Sequence, residues 1–347
     1  MFNWFSKNKN DNIIMKGLEI YHPKKQVDNN YFLDHFKSLG FDDEKIESAK
    51  EFMETLGREQ RYIADEDDED NTLSMAVKAS KNLIEEENMS TEDIDMIKVA
   101  TDTPEYLAPS NALLLNHRLG ASANHVNDLN SNCIGLLSAF DETARYMKQN
   151  PNYDKSLLVG STYLTSITRE DCFMTYPVFG DGACAIMLEK TKEKYKRGFI
   201  DSIHYSNTVE HDVFKYPNTG FSDILNNDNH SEKEKKLRFT PAENDFPGDW
   251  SRLSKKVLER NNLSPEDVDH WIFSQFSKPM VYETLDRLQA SYDKTTYVGD
   301  EYGYTGVTSP FFALYEAMNQ NKVEEGDNII LSSVGGGYVM SVILYRL

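Results

Sequence analysis

Apolar residues recur at intervals of three and four over Leu73–Glu86 and again over Trp250–Arg260, a spacing that predicts two amphipathic helices. Both helices lead into the same sequel. Asn88-Met-Ser-Thr-Glu-Asp-Ile-Asp-Met-Ile-Lys-Val-Ala-Thr follows the first, and Asn262-Leu-Ser-Pro-Glu-Asp-Val-Asp-His-Trp-Ile-Phe-Ser-Gln follows the second. The two segments match at the Asn, the Ser, the Glu, both Asp and the apolar positions after them. The repeated unit reads as helix, Ser-capped turn and short buried strand, with strands at Met96–Ala100 and Trp271–Phe273. A second pair, Phe179-Gly-Asp-Gly-Ala-Cys-Ala-Ile-Met-Leu and Val334-Gly-Gly-Gly-Tyr-Val-Met-Ser-Val-Ile-Leu, sets a Gly-rich turn before an apolar strand. Two α/β halves related by duplication are the simplest account. The charged run ending at Glu193–Arg197 divides them, with residues 1–193 in one half and 194–347 in the other. The polar stretch 222–238 reads as a surface loop, and the acidic run Asp65–Asp70 as a solvated one, since it lacks the glycine and closing Glu of a calcium loop.

Composition narrows the function classes. With 347 residues, 39% hydrophobic, the chain is long enough for a full core, and no apolar run approaches the length needed to cross a bilayer. The N-terminal stretch lacks the apolar core of a secretory signal, so Phe2, Trp4 and Phe5 read as a loosely packed terminus and the expected location is the cytoplasm. A net charge of −20 argues against nucleic acid as partner. The cysteines Cys133, Cys172 and Cys184 show neither metal spacing nor a disulfide framework, so no metal is expected and at most a lone thiol is chemical.

That thiol is Cys133. VNDLNSN before it reads as strand and turn, and IGLLSAFDETARYMKQ after it has helical spacing, which puts the sulfur at a strand-to-helix turn. A helix N-terminus favours the thiolate and is expected to draw the thiol pKa down from about 8.5. The alternative from position alone is one more small buried residue.

The residues around it resemble β-ketoacyl-ACP synthase III enzymes of the thiolase superfamily over roughly residues 13 to 347. Asp128-Leu-Asn-Ser-Asn-Cys-Ile-Gly135 is similar to the family's nucleophile motif, Phe179-Gly-Asp-Gly182 to its FGDG motif, and Gly335-Gly-Gly337 with the terminal Leu-Tyr-Arg-Leu to its last strand. Thr101–Ser110 resembles the segment that such dimers insert towards each other's sites. The resemblance implies the duplicated thiolase-type fold, layered αβαβα with two mixed sheets around buried helices. It further implies that Cys133 takes an acyl group from acyl-CoA or acyl-ACP as substrate, with no permanently bound cofactor, and that the backbone N–H groups of Cys133 and Gly336 form the oxyanion hole.

The resemblance fails at the helpers. Where the family's second repeat carries its catalytic His, this chain has Ser274 with Gln275 beside it, and where the family has Asn it has Tyr304. None of these titrates near neutrality as His does. Glu105 is a candidate base, because some thiolase relatives deliver a Glu from this region. The family's Trp and Arg that meet the CoA arm are replaced within Glu51–Gly57, leaving Arg58, Arg61 and a basic stretch at Lys233–Arg238 as candidates for the anionic arm. The expected function is therefore a ketosynthase-III-like acyl-thioester enzyme whose Cys133 hands its acyl group to an acceptor, by acyl transfer or Claisen-type condensation, with ordinary malonyl decarboxylation disfavoured. The alternative is a catalytically degenerate subunit. The expected assembly is a homodimer, or a heterodimer with an active paralogue, with an acyl carrier protein as candidate donor.

Overall fold

The computed structural model describes residues 10–65, 69–241 and 243–347. Phe2, Trp4, Phe5 and residues 66–68 of the acidic run lie outside them.

The first half runs β1 (Asn10–Tyr21), β2 (Lys25–Asp28), α1 (Asn29–Ser38), α2 (Asp43–Leu56), β3 (Gln60–Ile63), α3 (Thr72–Glu86), β4 (Met96–Ala100), α4 (Asn111–Leu119), β5 (His125–Leu129), α5 (Gly135–Gln149), β6 (Lys155–Thr162), α6 (Leu164–Ile167) and β7 (Gly182–Glu193). The second runs β8 (Gly198–Ser206), β9 (Phe214–Lys215), α7 (Phe221–Asn226), α8 (Glu232–Lys235), β10 (Arg238–Phe239), α9 (Phe246–Arg260), β11 (His270–Phe273), α10 (Lys278–Leu288), α11 (Ser309–Asn319), β12 (Asn328–Gly335) and β13 (Val339–Arg346).

Each matched residue of the repeat has a physical task. Asn88 and Asn262 leave their helices in the left-handed region, at φ 48° and 56°, which Asn tolerates better than other non-glycine residues. Ser90 and Ser264 open the short helical turns that follow. The second Asp of each copy holds the start of a neighbouring parallel strand: Asp95 Oδ2 accepts from Lys155 N at 2.9 Å, and Asp269 Oδ2 from Asn328 N at 2.9 Å.

The strands lie in the order β11-β12-β13-β8-β1-β7-β6-β4-β5. Within each half parallel and antiparallel pairs mix: β4 runs parallel to β5 and β6, and β11 parallel to β12, while β7 and β13 run antiparallel to their neighbours. The halves meet at one parallel pairing, Ile13 with Gly198. Only glycine fits there, since φ is +74° and an added Cβ would stand 2.0 Å from the Ile13 carbonyl oxygen. Between the half-sheets, α5 and α11 bury Leu136, Phe140, Phe311 and Phe312 against Ile13, Leu158, Ile272 and Ile343. Helices α3 and α4 cover the outer face of the first half-sheet, and α9 and α10 that of the second. The result is the thiolase-type αβαβα layering.

Residues 222–238 depart from the expected loop. They contain most of α7, all of α8, whose N-cap Ser231 forms a capping box with Glu234, and Arg238, the first residue of β10, which pairs with β9. Leu237 anchors the segment: it is buried beside Cys133, Ile167 and Tyr304, and its N–H donates to the Ile167 carbonyl at 2.8 Å. Among the described residues no helix is long and apolar enough to cross a membrane.

Candidate active site

Four strands end at one place. Asp102 follows β4, Cys133 follows β5, Ser274 follows β11, and Gly336 follows β12, so the loops beyond the carboxyl ends of both half-sheets converge, as is usual for sites in α/β folds. Cys133 lies two residues before α5 and directly after Asn132, which is left-handed at φ 50°. The turn is fastened to the second half. Asn132 Nδ2 donates to the Gly336 carbonyl at 2.6 Å, and Ser333 Oγ to the Cys133 carbonyl at 3.0 Å.

Tyr304 is placed by the FGDG motif. Its N–H donates to the Val178 carbonyl at 3.0 Å, its carbonyl accepts from Gly180 N at 3.2 Å, and its ring stacks on Phe179. Gly180 allows this closeness, since a Cβ there would meet the Tyr302 carbonyl oxygen at 2.0 Å. Asp181 is a brace, accepting from Ala64 N and Thr165 N, and burial pushes its carboxyl up to about 6. Ser274 Oγ donates to the Tyr304 hydroxyl at 3.2 Å, and that hydroxyl in turn pulls the Cys133 thiol towards its thiolate form. Ser274 therefore bears on the sulfur through Tyr304.

The electrostatics reverse one expectation. The helix start was expected to draw the Cys133 thiol pKa down, but burial and, after it, the Asp102 carboxylate push it up, with the Tyr304 hydroxyl pulling the other way. The thiol donates to Asp102 Oδ2 at 3.7 Å. Asp102 escaped the sequence reading. The available signal was an acid just beyond a predicted buried strand, next to the segment that carries the nucleophile.

Other candidates stand elsewhere. Gln275 is buried with its amide spent on structure: Nε2 donates to the Phe273 carbonyl at 2.6 Å and Oε1 accepts from Val298 N at 2.8 Å. Glu105 is exposed on this chain, its N–H held by Asn111 Oδ1. Arg58 and Arg61 depart from the expected placement at the anionic arm: both are buried, and neither lines the two cavities beside Cys133 and Asp102. Arg58 donates to the carbonyls of Val178, Gly299, Gln275 and Phe276 at 2.7–3.2 Å. Arg61 donates to Asn29 Oδ1 at 2.6 Å and lies over the Phe32 ring, and burial pulls its pKa down to about 9. The Lys233–Arg238 stretch is largely neutralised, with Lys233 paired to Asp171, Lys235 to Glu232 and Arg238 to Asp212. His270 bonds Thr296 Oγ1 at 2.9 Å inside β11.

A cavity of about 280 Å³ reaches Cys133, Tyr304 and Gly336, with walls that include Phe52, Leu56, Met174, Phe276 and Met280. A second cavity of about 230 Å³ has a polar lining that includes Asp102, Asn130, Asn132 and Lys215. Phe214 borders both.

A duplicated αβαβα fold with a buried cysteine at the converging strand ends defines a protein of the thiolase type. Two family models match, 3-oxoacyl-[acyl-carrier-protein] synthase III over residues 127–208 and its C-terminal counterpart over residues 258–347. Over both stretches the chain is similar to the 3-oxoacyl-[acyl-carrier-protein] synthase III family. It is 29% identical to β-ketoacyl-[acyl-carrier-protein] synthase III of Koribacter versatilis, over 85% of this chain and 88% of that protein. With the enzyme of the same name from Clostridium perfringens it shares 28% over 97% and 99% of the two chains. The crystal structure of 3-oxoacyl-[acyl-carrier-protein] synthase III from Aquifex aeolicus superposes with a TM-score of 0.82 at 24% identity, over 97% of this chain and 100% of that one.

Proposed function

We propose that the chain is a ketosynthase-III-type acyltransferase. Cys133 takes an acyl group from acyl-CoA or an acyl carrier protein and passes it to an acceptor by acyl transfer or Claisen-type condensation, in fatty-acid-like or specialised lipid metabolism. The observation that carries this reading is the Cys133 thiol at the end of a largely apolar cavity, facing the glycine turn of the other half. An extended acyl-thioester arm fits such walls. The N–H groups of Cys133 and Gly336 are the donors assigned to the oxyanion, a contribution of about 3–4 kcal/mol each in such sites.

Acyl transfer is favoured over malonyl decarboxylation because Ser274 and Tyr304 donate hydrogen bonds but hold no imidazole-like proton relay. The two halves, 1–193 and 194–347, act as one unit, and the protein works in the cytoplasm as a dimer. Tyr106 and Leu107, 51% and 70% exposed beside Glu105, support pairing through that segment, which would carry Glu105 towards the partner's site. Incubation with a panel of acyl-CoAs and acyl carrier proteins followed by intact-mass analysis tests the first step: an acyl adduct that maps to Cys133 is expected, and no adduct with any donor would sink the reading.

One feature favours the alternative, a non-catalytic subunit paired with an active paralogue: burial and the Asp102 carboxylate push the Cys133 thiol pKa up. An obligate heterodimer with an alkylation-resistant Cys133 would establish that reading instead.

A further inference from the structure

We infer that Asp102 is the catalytic acid–base group of this site, taking the Cys133 proton during acylation and the acceptor's proton during transfer. The inference rests on the acyl-thioester reading of Cys133 and assigns the proton traffic which that reading leaves without a carrier.

The placement is built into the sheet. Strands β4 and β5 are paired parallel up to Ala100 and Leu129, and the Thr101 N–H continues the ladder to the Leu129 carbonyl at 3.2 Å. The residues just past both strands are therefore side by side. The turn after Asp102 is held firmly: Thr103 N donates to Thr101 Oγ1 at 3.0 Å, and Thr103 Oγ1 accepts from Tyr163 N at 2.9 Å. The carboxylate has one oxygen for each task. Oδ2 receives the Cys133 thiol. Oδ1 is shielded from solvent and has no protein partner among the described residues, an arrangement that calls for a proton or a substrate hydrogen bond.

The two cavities divide the work. The apolar one reaches the sulfur, whereas the polar one reaches Asp102, so the acid stands between the thioester and a polar entrance for a second reactant. The titratable or charged groups that face it are the Cys133 thiol, the Tyr304 phenol and, across the polar cavity, the Tyr216 phenol, whose pKa burial raises, and Lys215, which is already paired with Asp212. Burial pushes the Asp102 carboxyl up to about 7, against a lowering by the thiol, so base and acid forms coexist near neutrality.

The steps balance. Asp102 accepts the thiol proton as Cys133 Sγ bonds to the acyl carbon; the tetrahedral adduct collapses, the donor's C–S bond breaks, and the leaving thiolate takes the proton from Asp102. An acceptor bearing an ionisable O–H, N–H or activated C–H then gives its proton to Asp102 while attacking the acyl carbon, and the departing Cys133 thiolate recovers it.

The test compares wild type with Asp102→Asn, using octanoyl-CoA as acyl donor and iodoacetamide as a donor-independent probe of the thiol. Rapid-quench intact mass should show wild-type acylation rising through an inflection near 7, and a variant at least about 100-fold slower with that inflection gone. Alkylation of Cys133 above neutrality should slow far less than acylation, since removing the anion eases thiol ionisation and iodide leaves without the proton that the donor's thiolate takes from Asp102. Acylation within threefold of wild type with the same pH profile overturns the inference alone. Equal slowing of acylation and alkylation overturns it too, because that is structural damage. If wild type gains no adduct from any donor in the wider panel, the acyl-thioester reading itself falls.

Discussion

Asn132 Nδ2 lies 2.6 Å from the Gly336 carbonyl oxygen, so the turn that carries the nucleophile is tied to the glycine turn of the opposite repeat. The space between them is already full. A Cβ on Gly335 would stand 2.9 Å from Asn132 Cβ and 3.1 Å from Cys133 N, with backbone on one side that has little freedom to yield. Gly335→Ala is therefore expected to displace the sulfur and slow Cys133 acylation by about 100-fold, with a stability loss of about 1–3 kcal/mol. Quenched-flow mass spectrometry and urea unfolding measure the two effects; wild-type acylation would show that the close approach is dispensable.

The Tyr304 hydroxyl acts on the Cys133 thiol in the direction that favours the thiolate. Tyr304→Phe keeps the ring on Phe179 and removes only that donor, leaving Ser274 Oγ without the partner it has 3.2 Å away. The expected outcome is acylation slowed by about 10–100-fold and a slower iodoacetamide reaction at every pH, with the fold intact by circular dichroism. Unchanged alkylation would mean that the phenol does not support the thiolate.

The Asp102 carboxyl also leaves a mark on stability. In the unfolded chain an Asp ionises near 3.9, but in the folded protein burial raises this one to about 7. Between those values the folded state holds a proton that the unfolded state has lost. The penalty for ionising the buried group is thus absent below about pH 4, grows through the window and is complete above about 7. Asp102→Asn removes it, so the unfolding free energy of the variant relative to wild type should rise with pH, by on the order of 2–4 kcal/mol. Urea unfolding at intervals across that range measures the difference, and a pH-independent one would contradict a buried carboxylate.

Local and repeated signals made much of this structure legible. The Asn, Ser and Asp residues matched between the repeats each do one local job, whether leaving a helix left-handed, opening a turn or capping a strand, so their chemistry is visible in a short window. Cys133 could be placed because strand, turn and helix surround it in sequence. The proton state of its thiol could not, because that depends on Asp102, 31 residues away, and on burial between two half-sheets. Residues 222–238 read as a loop because their composition is polar, yet one apolar residue, Leu237, pins the segment beside the site. Arg58 misled for a related reason: a guanidinium near an expected anion site looks like a ligand until its donors are found to be occupied.

Those donors give the last prediction. Arg58 supplies hydrogen bonds to the carbonyls of Val178, Gly299, Gln275 and Phe276, which belong to three chain segments around the site. Arg58→Met keeps much of the side-chain volume but leaves these acceptors without their donor. Buried acceptors stripped of a charged donor cost about 1–3 kcal/mol apiece when no water replaces it, so a loss of about 3–5 kcal/mol in unfolding free energy is expected. The anion-binding role makes a different forecast. An arginine that held the phosphates of CoA would, on removal, raise KM for an acyl-CoA while sparing the corresponding acyl-pantetheine, and would leave stability nearly unchanged. An internal brace leaves the ratio of the two KM values where it was. Measuring both thioesters alongside urea unfolding separates the cases, and a selective rise for the CoA form would return Arg58 to the binding site.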